Sequence, residues 1–307
     1  MLFDFQQLIA PFNEQEFIRN YFEKSPLVIR RGDPHYYTNL LSLAGVDNII
    51  KSGIGGGLQL TMSHAAKKML PADYMTGWNT DYVYGQTGID PQKVFKHLQE
   101  DRASIIIHNA IQYHQPLQDL VTSVDEVFNC SSGVNLFITP SHAQCFQVHY
   151  DEHDLFIIQV SGSKHWKIFE SGVYLPLEPQ NKRSVDFSGL ELLYDITLEQ
   201  GDLLYMPRGF VHEVTTTDLL SCHITLGMQN TSLIKRFADY VTQAAMQDDP
   251  LFRKAYIHGS KRSELAQLKA RLKEMLSSAV YPKILHHQGM PKEKKNLLSI
   301  PSLSEIH

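Results

Sequence analysis

Only three cysteines occur in 307 residues, Cys130, Cys145 and Cys222, and no two stand at a short paired spacing. That argues against a disulfide framework and a zinc ribbon and fits a reducing compartment. No apolar run approaches the ~20 residues needed to cross a bilayer. The N-terminal MLFDFQQLIA carries an acid at Asp4 and lacks the basic-then-apolar order of a secretory signal. The sequons beginning at Asn129 and Asn230 are therefore discounted, and a cytoplasmic location without membrane contact is expected. Positive charge is not in excess either: 28 Lys and Arg stand against 33 Asp and Glu, a formal net charge of −5. Bulk electrostatics give no reason to expect direct nucleic-acid binding. What remains is an ordinary soluble composition, 43% hydrophobic and 20% charged, long enough for one large domain plus an appendage.

The first third reads as mixed α/β. Asn13 followed by Glu16 has capping-box character ahead of Phe17, Tyr21 and Phe22, Ser25-Pro26 closes that helix, and LVIRR follows as a strand. Asp47 is expected to cap a short helix running into the glycines at 53–57. A phosphate loop needs a strand before its glycines and a helix after them; the order here is the reverse, so the cluster reads as a flexible connection. PQKVFKHLQED is an amphipathic helix, SIIIHNA a buried strand and PLQDLVTSVDEVFN another helix. From Val134 to Gln229 the texture changes to short strands (VNLFITP, LFIIQVSG, KHWKIFES, LLYDITL, DLLYMP, HEVTTT, SCHITLGM) punctuated by Gly, Pro, Asp and Ser, which predicts a sandwich or barrel. LIKRFADYVTQAAMQ and SELAQLKARLKEMLSSAV are helical again, and MPKEKKNLLSIPSLSEIH is expected to be loosely ordered.

Chemistry concentrates in two segments. In FQVHYDEHDLFIIQ, His149 and Asp151 stand two residues apart, so on an extended chain both point to one side. In GDLLYMPRGFVHEV, His212 follows the Pro207-Arg208-Gly209 turn. Two imidazoles and one carboxylate without thiolate ligands suit Fe(II) with an open coordination face and argue against structural zinc. A lone His-X-Asp also occurs by chance; the second segment is what strengthens it.

Together with YFEKSPLVIRR, NLFITP, HYDEHDLFIIQVSGSKHWKIF and SCHIT, these segments resemble the JmjC/cupin-type 2-oxoglutarate oxygenases, most closely the ribosomal-oxygenase group, over residues 15–228. The resemblance implies a mainly β fold: a double-stranded β-helix (jelly-roll) core at about 134–229 within a catalytic domain 1–230, followed by a C-terminal helical region 231–307. It implies Fe(II) held by His149, Asp151 and His212, with 2-oxoglutarate and O2 as cosubstrates and hydroxylation of a protein side chain. Lys164 occupies the family's basic cosubstrate-binding position. Strand parity independently groups it with Trp166 and Ile168 on a buried face, where a lysine needs an anionic partner; the alternative is an ammonium reaching out from the barrel rim. Asn135 and Thr139 share a face with Phe137, and Thr225 shares one with His223. The resemblance places cosubstrate contacts on both strands, while satisfied core hydrogen bonds are the plainer reading. Phe137 departs from the tyrosine common in related enzymes.

Other residues are read more plainly. His142, His153 and His165 are expected to face solvent or a neighbouring strand, Cys145 and Cys222 to be small core residues, and Arg208 to brace its turn or hold a substrate carboxylate. Ribosomal oxygenases carry a dimerising helical region and a winged helix, and residues 231–307 leave room for helices but not for both modules. The substrate is therefore left as a ribosomal protein or a precursor peptide. Leu265, Leu268, Leu272 and Leu276 at helical spacing suit a homodimer contact or packing on the barrel. Two alternatives stay open: a cupin-like metal- or ligand-binding module without turnover, and N-methyl demethylation at the same iron site.

Overall fold

A run of apolar residues with no polar alternation, Leu155 to Ile158, sets the architecture, because a strand of that composition must be covered on both faces. In the computed structural model this run lies in β7 (Asp154–Ser161), whose first seven residues are buried. The structure describes residues 3–53, 57–76, 88–177 and 187–230, and beyond these 232–236, 238–239, 242, 250–253 and 262–277. The chain divides into two units, residues 1–230 and 231–307.

The first unit holds twelve described strands. In chain order they are β1 (Leu27–Ile29), β2 (Leu60–Ser63), β3 (Met75–Thr76), β4 (Gly88–Ile89), β5 (Ser104–Ile107), β6 (Ser131–Thr139), β7, β8 (Lys164–Ser171), β9 (Leu192–Leu198), β10 (Leu203–Met206), β11 (Phe210–Thr216) and β12 (Ser221–Gln229). Seven form one antiparallel sheet in the order β1-β10-β7-β12-β6-β5-β2, three form a second in the order β11-β8-β9, and β3 pairs with β4. Leu155 and Ile157 of β7 pack with Trp166, Ile168, Leu198, Leu204 and Met206 from β8, β9 and β10. The alternate residues Phe156 and Ile158 join a larger core with Phe5, Phe17, Leu117, Leu120 and Tyr205. A jelly roll with helices over the back of its larger sheet results, the mainly β core expected.

The lead-in follows its local signals with two exceptions, the first being that the helix begun by Asn13 ends at Asn20, ahead of Ser25-Pro26, where Glu23 takes a positive φ of 57°. Asn13 caps the helix Glu14–Asn20: its Oδ1 accepts from the Glu16 N–H at 2.9 Å, and the Glu16 side chain accepts in return from the Asn13 N–H. Asp90 caps Pro91–Gln99, and Gln115–Phe128 forms as predicted. Asp47, however, is interior to a helix that already begins at Leu43, with the Ser42 hydroxyl accepting from the Gly45 N–H at 3.2 Å. The serine nearer the true start does the capping. The helix still precedes the glycine cluster and a strand still follows it, although residues 54–56 lie outside the described residues. So does MPKEKKNLLSIPSLSEIH.

In the second unit the helix Arg262–Ser277 is the long described element, with Leu265 51% exposed and Leu268 and Leu272 half-buried. No described helix is long and apolar enough to cross a membrane.

Candidate metal centre and cosubstrate pocket

His149 and Asp151 do not lie on a regular strand. They sit in a short extended stretch pinned to the start of β11: His149 and His212 exchange backbone hydrogen bonds of 3.2 and 2.8 Å, and the Gly209 N–H donates to the Asp151 carbonyl at 2.9 Å. Tyr150 between them is buried, so the alternation argued from spacing holds locally. A register shift between Phe210 and His212, beside β8, accompanies the metal-side histidine, a common device for re-aiming a side chain near a site.

The three side chains converge. Their ligand atoms all lie within 4.8 Å of one another; Asp151 Oδ2 is 3.5 Å from His212 Nε2 and 3.9 Å from His149 Nε2. Each imidazole is oriented by its own backbone. The Nδ1 of His149 is 2.7 Å from the Gln147 carbonyl and that of His212 is 3.2 Å from the Phe210 carbonyl. Nδ1–H as donor leaves each Nε2 lone pair aimed toward the carboxylate, the tautomer a metal ligand needs. Burial and the neighbouring His149 push the His212 pKa down to about 4 against the pull of Asp151, so it is neutral near pH 7.

Beside this triad lies a cavity of about 410 Å³ between the two sheets. Asn135 and Thr225 line it as cross-strand partners on β6 and β12, and Phe137 and His223 form the adjacent pair. Lys164 lines it from β8 and is only 2% exposed. Its Nζ donates to Thr139 Oγ1 at 3.0 Å, and no described carboxylate lies within ion-pair distance. Burial lowers its pKa to about 8, with the nearby Cys145 and Cys222 opposing. Thr139 stands behind Lys164 rather than on the cavity wall, and its hydroxyl also accepts from Ser104 at 3.1 Å. The Asn135 carboxamide oxygen accepts from the Asn109 N–H at 3.3 Å.

Several neighbours differ from what their local sequence suggests. His153 lines the cavity, whereas His142 and His165 face Asp218 and Asp195. Cys145 is a wall residue and Cys222 is fully buried. His108 and Asn109 line the cavity just past β5, with His108 Nε2 2.7 Å from Thr61 Oγ1. Nothing local marks them, since their place depends on β5 pairing beside β6. Arg208 braces: its Nη1 donates at 2.6 Å both to Asp154, which is wholly buried, and to Glu23.

The donor set fits an octahedral Fe(II) with one open face. A buried lysine without an acid fits a carboxylate entering the same cavity.

The match to known proteins falls on these elements. A family model described as JmjC domain matches residues 107–235, from the end of β5 past β12. The chain carries a JmjC domain. This JmjC domain is close to those of ribosomal oxygenases. The chain is 32% identical over 232 residues to the bifunctional lysine-specific demethylase and histidyl-hydroxylase NO66 of Aedes aegypti, covering 73% of this chain and 34% of that protein. It is 30% identical over 257 residues to ribosomal oxygenase 2 of Mus musculus, covering 80% and 52%. The chain thus spans between a third and about half of these relatives' length. Among solved structures, YcfD, a ribosomal oxygenase from Escherichia coli in complex with cobalt and 2-oxoglutarate, shares the JmjC fold at a TM-score of 0.55. Its sequence identity is 22%, covering 90% of this chain and 69% of that one.

Proposed function

We propose that the unit of residues 1–230, which bears the metal triad, is a 2-oxoglutarate- and Fe(II)-dependent oxygenase that hydroxylates a side chain of a protein or peptide, with succinate and CO2 as coproducts. One observation carries the reading: a convergent His149–Asp151–His212 set shares its cavity with a buried lysine that has no acidic partner. Bound Fe(II), with O2 and 2-oxoglutarate, supplies the oxidising equivalents for inserting one oxygen into a C–H bond. His149, Asp151 and His212 hold the metal. Lys164, steadied by Thr139, offers its ammonium to the far carboxylate of 2-oxoglutarate. Asn135 and Thr225 supply polar contacts along the sheet. Leu155, Ile157, Val214 and Trp166 keep the reacting region apolar and poor in water.

The names of the relatives support a ribosomal protein as substrate; a precursor peptide is the competing source of the same side-chain chemistry. The unit of residues 231–307, through its helix Arg262–Ser277, serves as a homodimer contact, a role supported by the exposure of Leu265 within its unit. Light scattering of the whole chain checks this: a monomer at micromolar concentration removes it.

The deciding assay incubates candidate ribosomal proteins and peptides with protein, Fe(II) and 2-oxoglutarate, and follows succinate and intact mass. Gain of one oxygen, absent with Asp151→Ala, is expected. Loss of a methyl group would instead select demethylation. Absence of substrate-stimulated succinate from iron-loaded protein would leave a metal-binding module.

A further inference from the structure

Two glycines on the cavity wall, Gly133 on β6 and Gly227 on β12, are direct cross-strand partners. A glycine inside a strand weakens it, and two side by side forgo a side-chain pair as well. Such glycines ordinarily mark a bulge, a left-handed backbone or the close approach of another part of the chain. None of these applies here. The β6–β12 register runs unbroken from Ser221↔Thr139 to Gln229↔Ser131, and the shift between β12 and β7 falls at Cys222–His223, away from Gly227. Neither glycine has a positive φ. A Cβ at Gly133 would meet nothing within 4 Å, and one at Gly227 would make ordinary contacts with Leu155 at 3.5 Å and His153 at 3.9 Å. The fold tolerates a side chain at both positions. What remains is a ligand that comes close to the bare backbone.

Their place on the wall says which ligand. Along this face of β6 and β12 the partners run Thr139–Ser221, Phe137–His223, Asn135–Thr225, Gly133–Gly227 and Ser131–Gln229. The first pair is buried, with Thr139 bonded to Lys164, and the last is exposed. The glycines therefore stand toward the open end, away from Lys164. The metal side is still near: His153, a neighbour of Gly227, follows Asp151 by two residues. Phe146, 42% exposed, lines the same cavity with its ring 5.6 Å from that of His149. Charge does not select the ligand at this end. Among the described residues that line the cavity, Asp151 and Lys164 are the only acid, lysine or arginine, one in the metal triad and the other at the buried end. The bare strip crosses two strands about 4.8 Å apart, the width of one more extended chain. Gln229 and Ser131 beside it can exchange hydrogen bonds with the amides of such a chain.

We infer that Gly133 and Gly227 determine which substrates reach the metal triad, by leaving a shelf on which the main chain of an extended peptide segment lies while one of its side chains points inward. This rests on the oxygenase reading given above, and the test separates the two. Random-sequence peptides and peptides tiling the ribosomal proteins are incubated with wild-type protein, Fe(II) and 2-oxoglutarate. A peptide that gains oxygen is then titrated by calorimetry into Co(II)-loaded wild type, Gly133→Val and Gly227→Val. Each valine is expected to weaken the peptide by about tenfold or more, as bulk in a space that a ligand fills does, with 2-oxoglutarate affinity and the visible Co(II) bands unchanged. The melting temperature should hold or rise, because valine suits a strand better than glycine. Wild-type peptide affinity in either variant overturns the inference while leaving the oxygenase reading intact. Loss of 2-oxoglutarate binding along with the peptide would mark the glycines as structural and overturn it too. Failure of every peptide to gain oxygen from the wild-type protein overturns the oxygenase reading and the inference with it. If a valine variant does not melt cooperatively, alanine at that position decides: weaker peptide binding supports the inference and unchanged binding overturns it.

Discussion

Arg208 donates to Asp154 across 2.6 Å, and this buried bond joins the two stretches of chain that carry the metal triad. Asp154 begins β7 just after Asp151, and Arg208 adjoins the glycine that holds the Asp151 carbonyl. The Asp154 carboxylate is saturated: Tyr205 Oη donates at 2.8 Å and Asn230 Nδ2 at 2.8 Å, while Glu23 shares the guanidinium. Burial raises the Asp154 pKa, and Arg208 opposes that rise.

Removing the guanidinium leaves a carboxylate wholly buried and short of its counter-ion. Arg208→Met is expected to cost about 3–5 kcal/mol, the range for breaking a buried pair from one side. Urea unfolding measures it. A loss below about 1 kcal/mol, the scale of a surface pair, would refute the brace.

Gly209 is the point at which the turn tolerates no side chain. Its φ is +91°, and a Cβ there would stand 2.0 Å from the Val173 carbonyl oxygen. Gly209→Ala should displace the N–H that holds Asp151 and weaken Co(II) by about tenfold or more, as outer-shell changes at metal sites do. Equal Co(II) affinity for variant and wild type would show that the turn does not set the triad.

Asp151→Ala removes the one anionic ligand of the set. Co(II) titration should show loss of the visible bands, while the melting temperature in chelator stays near wild type, because the side chain is about one-third exposed. Retained bands of full intensity would exclude Asp151 as a ligand.

Lys164 gives the expected pH dependence. Its pKa in the ligand-free protein is about 8, so it is an ammonium below that pH and a neutral amine above it. A bound carboxylate favours the ammonium and raises its pKa. Binding therefore takes up a proton above pH 8, and 2-oxoglutarate affinity should fall by up to about tenfold per pH unit there and level off below. Calorimetry at pH 7 to 9.5 tests this. In Lys164→Met the slope should vanish and affinity should be low throughout; a slope that persists in the variant assigns it to another group.

Thr139→Val removes the acceptor shared by Lys164 and Ser104 while keeping shape. A loss of about 1–3 kcal/mol in denaturant stability is expected for groups left unpaired. Stability equal to wild type would mean that the cavity's water satisfies the lysine.

Features that depend on neighbours along the chain were legible in the residue pattern. Period-two alternation put Lys164, Trp166 and Ile168 on one buried face, the two-residue step brought His149 and Asp151 to one side, and Asn13 with Glu16 marked a helix start. These rules are local geometry and need no knowledge of the partner strand. Asp47 misled because two nearby polar residues could cap one helix, and the apolar register alone did not choose between them.

Features that depend on which strands meet come from the packed fold. That β1, β2 and β5 of the lead-in would extend the jelly-roll sheet, carrying His108 and Asn109 to the cavity, follows from long-range pairing that no local pattern encodes. So does the division of labour among polar residues. Arg208 faces Asp154 and Glu23 rather than the pocket, and Thr139 is taken up by Lys164. Strand parity says which way a side chain points, but only the packed neighbours say whether its hydrogen bonds are already spent and where a wall is left bare.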